Sequence, residues 1–180
     1  MSKRIVILGG GESGAGAAVL AAVRGYSVFL SDGGSIKPKY KEWLNRHGGS
    51  FEEGSHNATR ILDADEVIKS PGIPDKADLV KQIRAKGIPV ISEIEFASRF
   101  TDAKIVGITG TNGKTTTTLM LESMLLAAGL RATAAGNIGR SLVEAVIDPI
   151  AYQVIAVEVG APQLPFVYSM SPYAAVCLNI

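Results

Sequence analysis

Short apolar runs alternate with longer amphipathic stretches along the whole chain. The runs at 5–8, 28–31, 66–69, 90–92, 104–109, 131–134, 152–158 and 173–178 predict strands. Helical periodicity between them predicts helices over 14–24, 38–47, 75–86, 94–100, 114–128 and 141–147. Asp75 reads as an N-cap, and Gly87 and Gly129 read as helix stops. Such alternation builds βαβ units around a mostly parallel sheet, because parallel neighbours need a crossover long enough to hold a helix. The polar segment 98–104 precedes a strand with its own glycine loop. It is expected to link a first domain, 1–98, to a second, 99–180.

Composition narrows the class. Of 180 residues, 47% are hydrophobic and 19% charged, enough for a core and too apolar for a disordered chain. Lys+Arg 18 against Asp+Glu 17 leaves a formal charge of +1, which gives no electrostatic reason to expect nucleic acid. No apolar run approaches a membrane span, and the N-terminal run is too short for a signal peptide. The single cysteine, Cys177, fits a reducing cytoplasm and reads as a small buried hydrophobe. Tyr40 and Trp43 read as core-facing on one helix, while Glu93 and Glu95 read as surface charges at a helix start. Glycine is in surplus at 20, against about 13 for an average chain. Much of the excess falls in two groups.

The first group, Gly9-Gly10-Gly11-Glu12-Ser13-Gly14, satisfies G-x-G-x-x-G between a strand and a helix of small residues. Gly9 permits the tight turn, Gly11 lets the backbone approach a phosphate, and Gly14 lets the helix pack closely. The helix N-terminus presents unpaired N–H groups to an anion. Asp32 ends the second strand, where an acidic residue reads a ribose. Lys69 sits inside a strand-like run that ends in Ser70-Pro71-Gly72, which places a turn at the strand's C-terminal end.

The second group surrounds Gly107-Ile108-Thr109-Gly110-Thr111-Asn112-Gly113-Lys114-Thr115-Thr116. The strict phosphate-loop pattern requires glycine at 108, and this chain has isoleucine there. The mechanics survive: successive N–H groups form an anion nest, Lys114 supplies a point charge, and Thr115 offers a hydroxyl to Mg²⁺. Asn137, in Gly136-Asn137-Ile138-Gly139, and Glu158, at the end of a buried strand, fall at the same kind of edge. Glu158 beside a phosphate-loop threonine is a candidate Mg²⁺ ligand.

Together these residues resemble the Mur ligases of peptidoglycan synthesis. The resemblance runs through residues 9–14, Lys-Ser-Pro-Gly-Ile-Pro at 69–74, Ser-Glu-Ile-Glu-Phe at 92–96, the loop at 107–116 and Gly-Asn-Ile-Gly at 136–139. The first three segments favour the members of the family that add D-glutamate. The resemblance implies an α/β fold class: a Rossmann-like N-terminal domain that binds the uridine diphosphate of the substrate, followed by part of a P-loop-type ATPase domain. It implies ATP-dependent joining of D-glutamate to UDP-N-acetylmuramoyl-L-alanine through an acyl phosphate, with Mg²⁺, in the cytoplasm. Gly110, Thr111, Asn112, Gly113, Lys114, Thr115 and Thr116 are implied to hold ATP, Lys114 and Glu158 to be catalytic, and Thr115 and Glu158 to hold the metal. Gly11, Glu12, Ser13, Asp32, Pro71 and Gly72 are implied at the uridine end, and Asn137 and Gln163 at the muramoyl end.

The family pattern places two hydroxyls and an aromatic between Glu158 and Gln163, where this chain has Val159-Gly160-Ala161-Pro162. The family also continues past residue 180, so the chain is expected to be the front part of a longer enzyme and inactive alone. Two other readings of the residues remain: an NAD-dependent Rossmann oxidoreductase, and a nucleotide-binding module without turnover.

Overall fold

The computed structural model describes residues 2–179. Two compact units meet in sequence between Phe96 and Ala97. The first contains β1 (Arg4–Leu8), α1 (Glu12–Val23), β2 (Ser27–Ser31), α2 (Pro38–Arg46), β3 (Ser50–Glu52), α3 (Ala58–Ile61), β4 (Glu66–Lys69), α4 (Asp78–Ala85) and β5 (Val90–Ile91). Helix α5 (Glu93–Ser98) runs across the boundary. The sheet has five strands in the order β3-β2-β1-β4-β5, and every pair is parallel. This is a Rossmann-like arrangement with all C-terminal strand ends on one edge.

Strand β1 is central, and its residues Ile5 to Leu8 are all 0% exposed. That is why it reads as an unbroken apolar run rather than an alternation. Helix α1 reaches the sheet through small residues. A Cβ on Gly14 would lie 1.9 Å from the Gly9 carbonyl oxygen, so no larger residue fits there without moving the loop.

The second unit contains β6 (Lys104–Thr109), α6 (Lys114–Ala127), β7 (Ala132–Gly136), α7 (Leu142–Ile147), β8 (Val154–Glu158), a 3-10 turn (Ala161–Phe166) and β9 (Ala174–Cys177). Its four strands are again all parallel, in the order β7-β8-β6-β9. Strand β8 is buried along its whole length and β9 is exposed along its whole length.

Several expectations need correction. Strand β3 and helix α3 escape the hydrophobic pattern because they span only three and four residues. Asp75 is not an N-cap: α4 starts at Asp78 behind Ala77, and Asp75 pairs with Lys69 instead. Gly87 and Gly129 do follow their helices, both at positive φ. Tyr40 is buried but Trp43 is 41% exposed, because α2 turns Tyr40 and Leu44 inward and leaves Trp43 at the margin. Glu93 and Glu95 are buried rather than superficial. Cys177 is exposed, since β9 is an edge strand paired with β6 alone among the described residues.

Helix α7 opens on a reciprocal cap. The Glu144 N–H donates to Ser141 Oγ at 3.2 Å, and the Ser141 N–H donates to Glu144 Oε2 at 2.9 Å. Ser141→Ala removes one acceptor of this pair and should cost about 1 kcal/mol, read as a lower urea midpoint for the second unit.

Candidate functional site

In the first unit, the loops after β1, β2 and β4 leave three adjacent strands on the same edge. Gly9 adopts a φ of +100°, a conformation open to glycine at little cost. Gly11 precedes α1 with no side-chain cap, and nothing lies within 4 Å of where its Cβ would be. The first turn of α1 is therefore open to an anion. Glu12 is exposed beside it and Ser13 is half-buried.

Asp32 has a role the sequence did not disclose. One carboxylate oxygen accepts the Gly10 N–H and the other accepts the Gly34 N–H at 2.7 Å. It thus ties the first glycine loop to the turn after β2. Pro71 and Gly72 are exposed at the tip of the turn after β4. Lys69, only 3% exposed, organises that turn: Nζ donates to the Ile73 carbonyl at 2.7 Å and pairs with Asp75 Oδ1 at 3.1 Å. The strand places the lysine in the interior, and the turn's carbonyls satisfy it there.

In the second unit, β6 feeds directly into the phosphate loop and α6. Gly110 and Gly113 take φ of +137° and +82°, so both sit where side chains are strained. Lys114 arches over the loop, with Nζ donating to the Gly110 carbonyl at 2.7 Å and the Thr111 carbonyl at 3.1 Å. Thr115 Oγ1 donates to Glu158 Oε2 at 2.8 Å, and Asn137 Nδ2 reaches Glu158 Oε1 at 3.4 Å. Glu158 is 2% exposed at the end of β8, with Ile108 of β6 and Gly136 of β7 in register on either side. Thr116 is exposed on α6 and faces a separate hollow with Leu119 and Met120.

Lys114, Asn137 and Gly160 line a cavity of about 460 Å³ in front of the loop. Gln163 is turned inward, its Oε1 accepting the Gly160 N–H at 2.9 Å. A Cβ at position 160 would lie 3.2 Å from Gln163 Oε1 and 3.4 Å from Asn137 Nδ2. Glycine there lets the two amides approach each other, and Pro162 fits the start of the 3-10 turn.

Two residues of this site carry no recognisable sequence signal. Asn179 Oδ1 accepts from the N–H groups of Thr111 at 3.0 Å and Asn112 at 2.9 Å, while its Nδ2 donates to the Asn112 carbonyl at 3.1 Å. Arg140 fastens the loop that carries Asn137: its guanidinium donates to the Tyr152 hydroxyl and the Glu144 carbonyl, both at 2.9 Å, and pairs with Asp148.

The donor set fits Mg²⁺. A hydroxyl and a carboxylate, both hard oxygen donors, already meet at Thr115 and Glu158. Among the described residues no group of three or more His, Cys, Asp or Glu could hold a metal. A cation that keeps several waters and shares phosphate oxygens needs no such cage.

Two parallel sheets, an open glycine turn and a phosphate loop beside a buried carboxylate are the elements of the nucleotide-binding class of α/β folds. Residues 4–79 match the MurD N-terminal domain and residues 108–180 the Mur ligase middle domain. The chain belongs to the Mur ligase family. It is 52% identical over 178 residues to the UDP-N-acetylmuramoylalanine--D-glutamate ligase of Bacteroides fragilis, covering 99% of this chain and 40% of that relative. It is 54% identical over 177 residues to the same-named ligase of Porphyromonas gingivalis, covering 98% of this chain and 39% of that relative. The chain therefore spans about two fifths of the length of these relatives.

Among solved structures, a UDP-N-acetylmuramate:L-alanyl-gamma-D-glutamyl-meso-diaminopimelate ligase from Neisseria meningitides shares the fold. It has a TM-score of 0.59 at 24% identity, covering 99% of this chain and 61% of that one. A pseudomurein peptide ligase type C from Methanothermus fervidus gives a TM-score of 0.54 at 28% identity, covering 89% of this chain and 33% of that one.

The Ile150 N–H, and after it the Arg140 guanidinium, holds the Asp148 carboxyl below the usual aspartate range. Its contribution to stability is complete above that range and is lost as pH falls through the lowered value. Asp148→Asn should flatten the acid limb of the second unit's stability-against-pH profile, measured by thermal melts. Asn179→Ala should speed amide exchange at Thr111 and Asn112, with little change at Thr118 in the helix behind, measured by residue-resolved hydrogen exchange.

Proposed function

We propose that this chain carries the substrate-nucleotide half and part of the ATP half of a ligase that joins D-glutamate to UDP-N-acetylmuramoyl-L-alanine. Residues 1–98 bind the uridine end, with Gly11, Glu12, Ser13, Asp32, Pro71 and Gly72 at the contact edge. Residues 99–180 bind ATP on Gly110 to Thr116, and Asn137 and Gln163 face the muramoyl substrate. The observation that carries this reading is the Thr115–Glu158–Asn137 cluster at the foot of the phosphate loop. It sets oxygen donors for a metal beside a loop shaped for phosphates.

In the reaction, a carboxylate oxygen of the substrate attacks the terminal phosphorus of ATP and ADP leaves. The amine of D-glutamate then attacks the acyl carbon, loses a proton, and inorganic phosphate departs. Mg²⁺ supplies charge neutralisation on the phosphates when bound. Lys114 now spends its ammonium on the Gly110 and Thr111 carbonyls, and exchanges those neutral acceptors for phosphate oxygens, which hold a cation more strongly. Thr115 and Glu158 hold the metal, and Arg140 and Ser141 keep the Asn137 loop in place.

The relatives named as ligases support this chemistry over hydride transfer. Among the described residues no helix is long and apolar enough to cross a membrane.

Calorimetric titration of this chain tests the reading. UDP-N-acetylmuramoyl-L-alanine should bind and NAD(H) should not; the reverse result sinks it. Lys114→Ala removes a charged donor worth roughly 1.5–3 kcal/mol, so it should weaken ATP–Mg²⁺ binding about tenfold to a hundredfold. Unchanged affinity would show that the loop does not hold the phosphates.

A further inference from the structure

At the C-terminal ends of β2 and β3, three side chains outside the family motifs form a chain. The Ser31 hydroxyl lies 2.7 Å from Glu52 Oε1 and 2.7 Å from His56 Nδ1. Ser31 is fully buried and His56 is exposed. A carboxylate oxygen can only accept, so the single hydroxyl proton of Ser31 goes to Glu52, and the hydroxyl oxygen accepts from His56. This fixes the proton on Nδ1 and leaves Nε2 of the neutral ring with a free lone pair.

The ring stands where the next residues of β2's own loop supply no side chain. A Cβ on Gly33 would lie 3.2 Å from His56 Nε2, so a larger residue at 33 would crowd the imidazole. The segment holding the ring is braced against the same loop. The Asp32 N–H donates to the Glu52 carbonyl at 3.1 Å, the Gly54 N–H to the Gly34 carbonyl at 2.9 Å and the Ile36 N–H to Glu53 Oε1 at 2.6 Å. A preset tautomer on a braced loop, beside Asp32 at a sheet's C-terminal edge, is the form a recognition group takes.

We propose that His56 is a specificity-determining residue of the nucleotide end, its Nε2 accepting a hydrogen bond from a donor of the bound uridine. The donor is either the imide N–H of the base or a ribose hydroxyl. Ser31 and Glu52 are positioning residues that hold the tautomer. This inference rests on the reading of the first unit's edge as the uridine end.

The test titrates UDP, N3-methyl-UDP and 2′-deoxy-UDP into the wild-type chain, His56→Ala and His56→Gln, with melting temperatures as the folding control. A neutral hydrogen bond predicts a threefold to tenfold loss of UDP affinity in His56→Ala, by an order-of-magnitude conversion of about 0.5–1.5 kcal/mol. Wild type should disfavour one of the two analogues by a similar factor, and His56→Ala should lose that discrimination. His56→Gln, which keeps an acceptor, should recover part of the affinity. Wild-type UDP affinity in His56→Ala, or discrimination that survives the substitution, overturns the proposal and leaves the uridine reading standing. A wild-type chain that binds no UDP overturns both.

Discussion

A carboxylate that is only 2% exposed at the end of a parallel strand needs donors at that strand's own edge, because a buried charge left unpaired costs on the order of several kcal/mol. For Glu158 those donors come from the two neighbouring crossovers. Thr115 arrives from the start of the helix after β6, and Asn137 from the loop after β7. The Asn137 N–H also donates to the Glu158 carbonyl at 2.9 Å. The close approach of these loops requires Gly136, where a Cβ would lie 2.2 Å from the Glu158 carbonyl oxygen. One buried charge thus aligns three strand ends, and the same alignment brings the Thr115 hydroxyl and the Glu158 carboxylate together beside the phosphate loop.

The first unit solves an opposite problem by similar means. There the buried charge is positive, Lys69, and its partners are the carbonyls and the aspartate of the turn that follows. Asp32 performs the matching task for backbone donors, gathering Gly10 and Gly34. Both side chains sit at C-terminal strand ends, and both are engaged with the backbone. Their effect is to fix the shape of the loops after β1, β2 and β4. Left open on that edge are the N–H donors at the start of α1 and the exposed Pro71-Gly72 turn.

Local rules explain how much of this was legible from sequence. Strands β1 and β8 are buried on both faces or nearly so, and their apolar runs announce them. The glycine loops are legible because only glycine meets the backbone demands at Gly9, Gly110 and Gly113. Thr115 and Glu158 follow from their positions at strand and helix ends. Asp32 and Lys69 could be placed at the right edge, but their partners are backbone groups of other loops, which no residue type announces. Asn179 lies 67 residues from Asn112, and nothing in an Asn after an apolar run foretells that it binds the phosphate loop. Glu93 and Glu95 mislead for the complementary reason: a charge at a helix start normally faces water, and here the fold encloses it.

The His56 chain shows where such reading fails most completely, and why. A histidine in a polar loop after a three-residue strand has no periodicity and no motif. Its significance comes from β2 and β3 lying side by side, which brings Ser31 opposite Glu52 in register. That pairing lets a buried hydroxyl transmit the carboxylate's demand for a proton to the ring beyond it. The glycines at 33 and 34 look, by themselves, like a flexible turn. Beside the imidazole they become cleared space, because a side chain at 33 would occupy the position that Nε2 now adjoins. The empty position and the filled one are therefore parts of a single arrangement at the edge where β2 and β3 end side by side.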